Sequence, residues 1–299
     1  MSIDKTCIKS PLNYIGGKYK LLPQILPLFP KNIDSFIDLF CGGLNVAINI
    51  DDTRTKQIIC NDNLIYLIQL YEFLQANSVE STLKNLEQII GKYHLSLTNA
   101  KGYNDLRADY NSAKSPLKLL ALIAYSFNHQ IRFNNSHHFN NPFGKNRSQF
   151  NATMKANLIS FIQNLHSKNM TFYALDFQKL LAKIKPSKQS FIYADPPYLI
   201  TQGTYNDGKR GFSGWNERLE IALLETLQDL HKNGVRFALS NVLIHKGEKN
   251  AILQDWVKKN DFFATKLNFN YANASYQAKF KDKSLTQEVL ITNYPIRKA

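Results

Sequence analysis

The 299-residue sequence predicts an α/β protein: an open, mostly parallel sheet assembled from both ends of the chain, with a helical, basic insertion between them. Three observations carry that expectation. Short apolar runs bounded by breakers alternate with helical runs over residues 35–74. A comparable set returns near residue 171. Between them, residues 78–128 read as helices without strong strand signals.

Taken in order, residues 35–40 (SFIDLF) read as a short buried strand, Gly42 and Gly43 as a turn, and residues 44–50 as the start of a helix. Residues 57–60 (QIIC) form a second strand. The run Asn61-Asp62-Asn63 then offers N-cap side chains to an apolar helix over 64–74. Pro116 sits where proline is tolerated, in the first turn of a helix. Further strands are expected at 171–175, 191–194, 235–239 and 287–292, with a helix over 216–232. No internal repeat or low-complexity linker is visible.

Composition narrows the class. Hydrophobic residues are 44% of the chain and aromatics 12%, so it carries the core material that disordered polycations lack. Lys, Asp, Asn or Pro interrupts every apolar run well short of the roughly 18–20 residues of a spanning helix, so no membrane association is expected. The start MSIDKTCIKS has no continuous apolar stretch and an early Asp4, which predicts no secretory signal and a cytoplasmic location. Cys7, Cys41 and Cys60 lack the spacing of a zinc site or disulfide framework, so no metal is expected.

The formal charge of +14 is unevenly placed. Residues 1–109 hold 11 basic and 11 acidic side chains; residues 110–175 hold 7 basic and none acidic; residues 176–299 hold 19 basic and 12 acidic. The acid-free segment also contains 11 Asn and the cluster FNHQIRFNNSHHFNNPFGKNRSQFN over 127–151. Such a surface suits a polyanion, and its Phe, Asn, His and Arg side chains are types that stack on bases or bond their edges. A solvated Asn-rich loop is the alternative reading.

Asp195-Pro196-Pro197-Tyr198 is the most specific motif. It follows the apolar run FIYA, at the edge where open α/β sheets bind ligands. Two prolines fix the backbone and remove two amide donors, so nearby carbonyls can act as acceptors. A carboxylate and a carbonyl together can accept both hydrogens of an amino group, and the Tyr ring offers a stacking face. The arrangement suits a planar aromatic amine such as adenine, whose exocyclic lone pair is delocalised into the ring. Hydrogen bonds that draw the nitrogen toward tetrahedral geometry localise that pair for attack on an activated methyl group.

Other positions are weaker alone. Phe40-Cys41-Gly42-Gly43 resembles a nucleotide-binding turn but lacks the full G-x-G-x-x-G, with Leu44 where a further Gly is expected. Asp38 lies inside an apolar strand and needs solvent or a partner, for which the amino group of an amino-acid-like cofactor is suited. Asp62, about 20 residues past the glycine turn, either holds ribose hydroxyls or caps the following helix. Tyr14-Ile15-Gly16-Gly17-Lys18 brings amides and an ammonium close to an anion, or simply starts a helix. Asp176 and Phe177 follow a strand and either face an adenine ring or serve as helix cap and core. The loop GTYNDGKRGFSGW, with Tyr205, Asn206 and Trp215, reads as a mobile lid or a long surface loop.

In order, PLNYIGGKYKLLPQI, SFIDLFCGG, CNDNL, FNNPFGKNR, ADPPY, GVRFALSNV and EVLITNY resemble the blocks of the Dam-like, alpha-ordered DNA adenine-N6 methyltransferases, over nearly the whole chain. The resemblance implies a Rossmann-like S-adenosylmethionine-dependent methyltransferase sheet, with residues 1–64 and 171–299 as the catalytic domain and 65–170 as a helical target-recognition insertion. It implies that Tyr14 and Lys18 contact the cofactor, Lys18 through its carboxylate. Asp38 would take the methionine amino group, Phe40 and Gly42 shape the pocket, Asp62 bind the ribose, and Asp176 with Phe177 hold the adenine. Asp195 and the Pro196 backbone would grip the target amino group, with Pro197 fixing the turn and Tyr198 stacking on a flipped base. Leu44-Asn45 departs from the small residues usual after the glycine turn. Arg132, Asn135, His138, Asn141, Lys145 and Arg147 would meet double-stranded DNA.

The activity implied is site-specific adenine methylation by a monomer, in a restriction-modification system or a phage. A cognate restriction endonuclease would act on the same site without direct binding. Two alternatives stay open: the same chemistry on RNA or another planar amine, and a non-catalytic DNA-binding protein with this fold.

Overall fold

Parallel strands covered on both faces need apolar side chains at successive positions, and four runs meet that need. They are β1 (Ser35–Asp38), β2 (Gln57–Asn61), β3 (Met170–Tyr173) and β4 (Ser190–Ala194). The computed structural model describes residues 7–53, 55–201, 214–268 and 286–296. A long strand β5 (Arg236–His245), the two-residue β6 (Glu248–Lys249), β7 (Phe263–Lys266) and β8 (Thr286–Thr292) complete the sheet. Its order is β3-β2-β1-β4-β5-β8-β7, with β6 against β5. Pairing is parallel from β3 through β5 and antiparallel at β8 and β7. The sequence reading missed β6 and β7; β7 is mostly exposed, so it lacks the apolar signal of the central strands.

The chain leaves β1 toward β2 on one side, and β4 lies on the other. This reversal opens a crevice at the carboxyl ends of β1 and β4, where open α/β sheets bind ligands. Strand alternation sends Phe36, Cys60, Tyr193 and Leu290 into one core and Ile37, Ile59, Ile192 and Ile291 into the other. On the second face lie α7 (Phe177–Ile184), α8 (Glu217–Lys232) and α9 (Ala251–Lys259).

On the first face the core continues without a break into the insertion helices α2 (Ile65–Ala76), α3 (Val79–Lys92), α4 (Ala100–Ser112), α5 (Pro116–Tyr125) and α6 (Ala152–Ser167). α5 (PLKLLALIAY) is buried nearly all round and is packed by α2, α3 and α4. Gln75 of α2 donates to the Met170 carbonyl at 3.0 Å, tying that helix to β3. Among the described residues no helix is long and apolar enough to cross a membrane, and no group of three or more His, Cys, Asp or Glu side chains is placed to hold a metal ion.

One helix expectation is corrected. Residues 44–50 hold only a 3-10 turn, Ala47–Asn49. Leu44 is left-handed (φ 59°), which starts no α-helix. Asn45 and Asn49 accept the backbone amides of Ser10 and Ile8 at 3.2 and 2.7 Å, so their side chains hold the N-terminal segment. At the other chain turn, a short helical run comprising α1 (Leu22–Ile25) and flanking 3-10 turns follows Lys18.

Lys185 ends α7 in a left-handed conformation (φ 47°, ψ 73°), with its amide bonded to the Leu181 carbonyl at 2.9 Å and its side chain exposed. A Cβ is penalised there and glycine is not. Lys185→Gly is expected to raise unfolding stability by about 0.5–1 kcal/mol, measured as the urea midpoint. A lowered midpoint would contradict the strain.

Candidate active site

The strand ends are laced together before any site chemistry begins. Asn61, the last residue of β2, donates to the carbonyls of Leu39 and Leu175 at 3.1 and 2.9 Å and accepts the Leu175 amide at 3.1 Å. This ties the exits of β1, β2 and β3 into one edge. The glycine turn is held just as closely: the Gly42 amide donates to Asp62 Oδ2 at 3.1 Å, and the Tyr71 hydroxyl donates to the Gly42 carbonyl at 2.5 Å. Gly42 has φ 44°, and a Cβ there would stand 3.0 Å from the Tyr14 ring. At Gly43 a Cβ would stand 2.9 Å from Tyr14 Cβ. Glycine is required here because Tyr14 lies directly on the turn.

Three carboxylates gather at this edge. Asp38 is 1% exposed, and its Oδ1 has no hydrogen-bond partner among the described residues. Burial, then the negative charge of Asp195, pushes its carboxyl well above the usual range. Asp62 is buried and accepts from the amides of Gly42 and Leu64, the latter at 2.9 Å. Burial raises it to about 6 in spite of those donors. Asp62 therefore shapes the entry to α2, and a carboxylate with two donors still has acceptor capacity for a ligand.

Asp195 follows β4 and is paired with Lys18 at 2.9 Å. Lys18 is itself only 4% exposed, donates to the Gly16 carbonyl at 2.8 Å, and lies 3.6 Å from Glu288 on β8. Lys18 also lines the cavity, and its ammonium is already engaged by Asp195 and the Gly16 carbonyl. Burial raises the Asp195 carboxyl, against the lowering by Lys18. The Tyr198 hydroxyl donates toward Asp195 at 3.2 Å and Glu288 at 3.0 Å, and Lys18 Nζ stands 5.0 Å from the Tyr198 ring centroid.

A third group is aromatic. Phe40 lies 5.7 Å from Phe177 and 5.6 Å from Trp215, ring centre to ring centre. Trp215 Nε1 donates to Glu220 at 2.6 Å, and Glu220, fully buried, also accepts from Asn241 and Asn250 at 3.0 and 3.3 Å. Asp176 caps α7 through the amide of Gln178 at 2.9 Å, so its cap role is real, and it also faces the cavity.

These groups border one cavity of about 520 Å³, within the range of small-molecule and cofactor sites. Tyr14, Lys18, Asp38, Phe40, Gly42 and Asp62 line it, as do Asp176, Phe177, Asp195 and Pro197. Pro196 and Tyr198 are outside its lining. Tyr205 and Asn206 of the expected lid lie outside the described residues, as do Lys279, Lys281 and Lys283 of the basic C-terminal portion. Sequence reasoning missed Glu220 and Glu288. Glu288 adjoins the apolar run Val289-Leu290-Ile291, the signal already used for Asp38, whereas Glu220 follows Asn216, Glu217 and Arg218 and carries no such signal.

The basic hairpin borders the cavity. Ile131 and Phe133 line the cavity, Phe133 bridges to Phe139, and its ring stacks on Tyr66 at 4.9 Å. Asn135, His138, Lys145 and Arg147 are exposed, and Arg132 is half-buried. Arg147 lies over the Phe127 ring, 4.9 Å from its centroid. Asn141 is corrected: it is 2% exposed, and its amide donates to the carbonyls of Phe127 and Gln130, both at 3.0 Å. It holds the hairpin's shape and does not face outward. A Cβ at Gly144 would meet the Ser148 hydroxyl at 2.3 Å, so the Pro-Phe-Gly bend needs glycine.

The site therefore joins an unpartnered buried carboxylate oxygen, aromatic faces and an Asp-Pro-Pro-Tyr turn beside a basic hairpin. Several proteins are similar to this chain over most of its length. The type II methyltransferase M.FokI of Planomicrobium okeanokoites is 47% identical over 287 residues, covering 96% of this chain and 43% of that protein. The modification methylase StsI of Streptococcus sanguinis is 46% identical, covering 98% and 44%. The chain thus spans less than half the length of these two relatives. A DNA adenine methylase of Salmonella typhi is 26% identical over 249 residues, 82% of each chain. A family model for D12 class N6 adenine-specific DNA methyltransferases matches residues 14–277, which takes in the glycine turn, the hairpin and the Asp-Pro-Pro-Tyr turn together, and the chain belongs to that family.

Proposed function

We propose that this chain transfers a methyl group from S-adenosylmethionine to the exocyclic N6 of adenine in duplex DNA, as the modification enzyme of a restriction-modification system. The observation that carries this reading is the placement of Asp195, ion-paired to Lys18, on the same cavity as the buried, unpartnered Asp38 Oδ1. The cavity residues fit the donor: Asp38 suits its ammonium, Asp62 its ribose hydroxyls, and Phe40, Phe177 and Trp215 its adenine ring. When bound, the donor supplies a methyl group already made electrophilic by a sulfonium.

The chain's own residues do the rest. Asp195 accepts one hydrogen of the target amino group and the Pro196 carbonyl the other, drawing the nitrogen lone pair out of the ring. Tyr198 offers its face to the extruded base; such stacking returns roughly 1–3 kcal/mol against an unstacking cost of a few kcal/mol. Once the nitrogen carries the methyl group it has one proton too many, and Asp195 is the nearest acceptor to take it toward water. Ile131 and Phe133 at the mouth exclude water while the hairpin meets the duplex.

The direct test incubates the protein with labelled donor and duplex DNA, single-stranded DNA or RNA in turn and identifies the product. N6-methyladenine in duplex DNA is the expected result, and methylation confined to RNA would overturn the substrate. Asp195→Ala is expected to abolish transfer while duplex affinity stays within a few-fold; transfer at the wild-type rate would overturn the mechanism.

Asp62 gives a pH signature. With its carboxyl raised to about 6, it is charged above that value and protonated below it. Affinity for S-adenosylhomocysteine, measured calorimetrically, is expected to fall as pH drops through 6, and Asp62→Asn to flatten that dependence. The hairpin gives a salt signature. A Lys145→Ala, Arg147→Ala double variant should weaken duplex binding and lower the slope of log affinity on log salt by up to about 2, with cofactor affinity unchanged.

A further inference from the structure

Glu288 stands in β8 (TQEVLIT) with its side chain 5% exposed. By strand alternation it shares a sheet face with Leu290, the face that carries Tyr193 and the N-terminal segment. Opposite it the β5–β8 ladder is irregular: Val242 pairs with Glu288 and Ile244 with Gln287, leaving Leu243 as an extra residue. Bulges of this kind re-aim side chains and occur beside active sites.

A role in the fold alone accounts poorly for this acid. Lys18 already has a carboxylate at 2.9 Å in Asp195, so a second one at 3.6 Å brings two like charges into a buried cluster. An apolar side chain would serve the core better. What Glu288 does contact is specific: the Tyr198 hydroxyl at 3.0 Å and the Lys18 ammonium.

We propose that Glu288 is a positioning residue for methyl transfer: it clamps the Tyr198 hydroxyl, fixing that ring in the Asp-Pro-Pro-Tyr turn, and competes with Asp195 for the Lys18 ammonium, leaving Asp195 the stronger acceptor for the target amino group. The inference rests on the reading of the site as an adenine methyltransferase. The groups around Asp195 are Lys18 from the N-terminal loop, Glu288 from β8, Tyr198 of its own turn, Asp38 from β1 and Tyr193 from β4. Of these, Glu288 raises the Asp195 carboxyl and Lys18 lowers it. Removing the Glu288 charge therefore lowers the Asp195 carboxyl from both sides, by deleting a repulsion and by removing the second carboxylate near Lys18.

The test compares wild type, Glu288→Gln and Glu288→Ala in methyl transfer to duplex DNA across pH. Glu288→Ala is expected to lower kcat by about 10- to 100-fold with KM for the donor within about twofold. Glu288→Gln, which keeps an acceptor for the Tyr198 hydroxyl, should retain more of kcat. Both should move the acidic limb of the kcat/KM profile to lower pH. A uniform loss with the limb in place would assign Glu288 to the fold alone and overturn the inference, as would wild-type kinetics in both variants. Should Glu288→Ala fail to fold, the near-isosteric Glu288→Gln decides by the limb. A wild-type protein that methylates no adenine would remove the functional reading as well, whereas an active wild type with unaltered variants removes this inference alone.

Discussion

The ammonium of Lys18 joins three stretches of chain that are far apart in sequence: the loop before α1, the turn after β4, and β8. Each of its carboxylate partners is largely buried, and each would be expensive to keep ionised without it. The pairing works in both directions, because a lysine 4% exposed also needs its acceptors. The N-terminal loop is thereby fixed over the sheet edge with Tyr14 against Gly42 and Gly43, which narrows the crevice between β1 and β4 into a cavity. Loss of the ammonium would leave two buried acids facing one another at the turn after β4.

A second constraint organises the other end of the cavity. The Gly42 peptide is gripped at both polar atoms, its amide by Asp62 and its carbonyl by Tyr71 of α2. The left-handed Gly42 and the left-handed Leu44 follow from that grip. Leu44 tolerates a conformation better suited to glycine because its side chain is fully buried, so core packing offsets the backbone cost. Trp215 depends on comparable support: Glu220 holds its indole, and Asn241 and Asn250 satisfy Glu220. In both places a residue lining the cavity is fixed by polar side chains: Asp62 and Tyr71 at Gly42, and Glu220 at Trp215.

Much of this was legible in the sequence. Apolar runs located β1, β2, β3, β4 and β8, and acids or glycines at their ends located Asp38, Gly42, Asp62 and Asp195, because strand-end position and residue chemistry are both local properties. Partnerships across the chain were less legible. Lys18 reads as an anion binder beside two glycines, yet its carboxylate partners come from the turn after β4 and from β8, more than 170 residues away. Asn141 reads as one of many hairpin amides, and only the path of the surrounding carbonyls shows that it bonds inward. The exposed strand β7 and the broken helix over residues 44–50 escaped for the same reason: tertiary pairing, not local pattern, decides them.

The distribution of charge acquires a mechanical meaning from the shared core. The acid-free stretch from residue 110 to 175 is not hung on a linker; its α5 and α6 run into the same apolar core as β1, β2 and β4. Its hairpin is joined to the catalytic edge by Phe133 against Tyr66 and by the Asn13 side chain donating to the Asn128 carbonyl at 2.8 Å. A hairpin held that way is anchored to the same core as the cavity. Ile131 and Phe133, which line the cavity, lie within a few residues of Arg132, Asn135 and His138, so one short stretch of chain carries both cavity-lining apolar side chains and the polar and basic ones. Under the proposed function, positive charge on that stretch would set where a strand comes to rest relative to Asp195, and electrostatic docking would also be alignment.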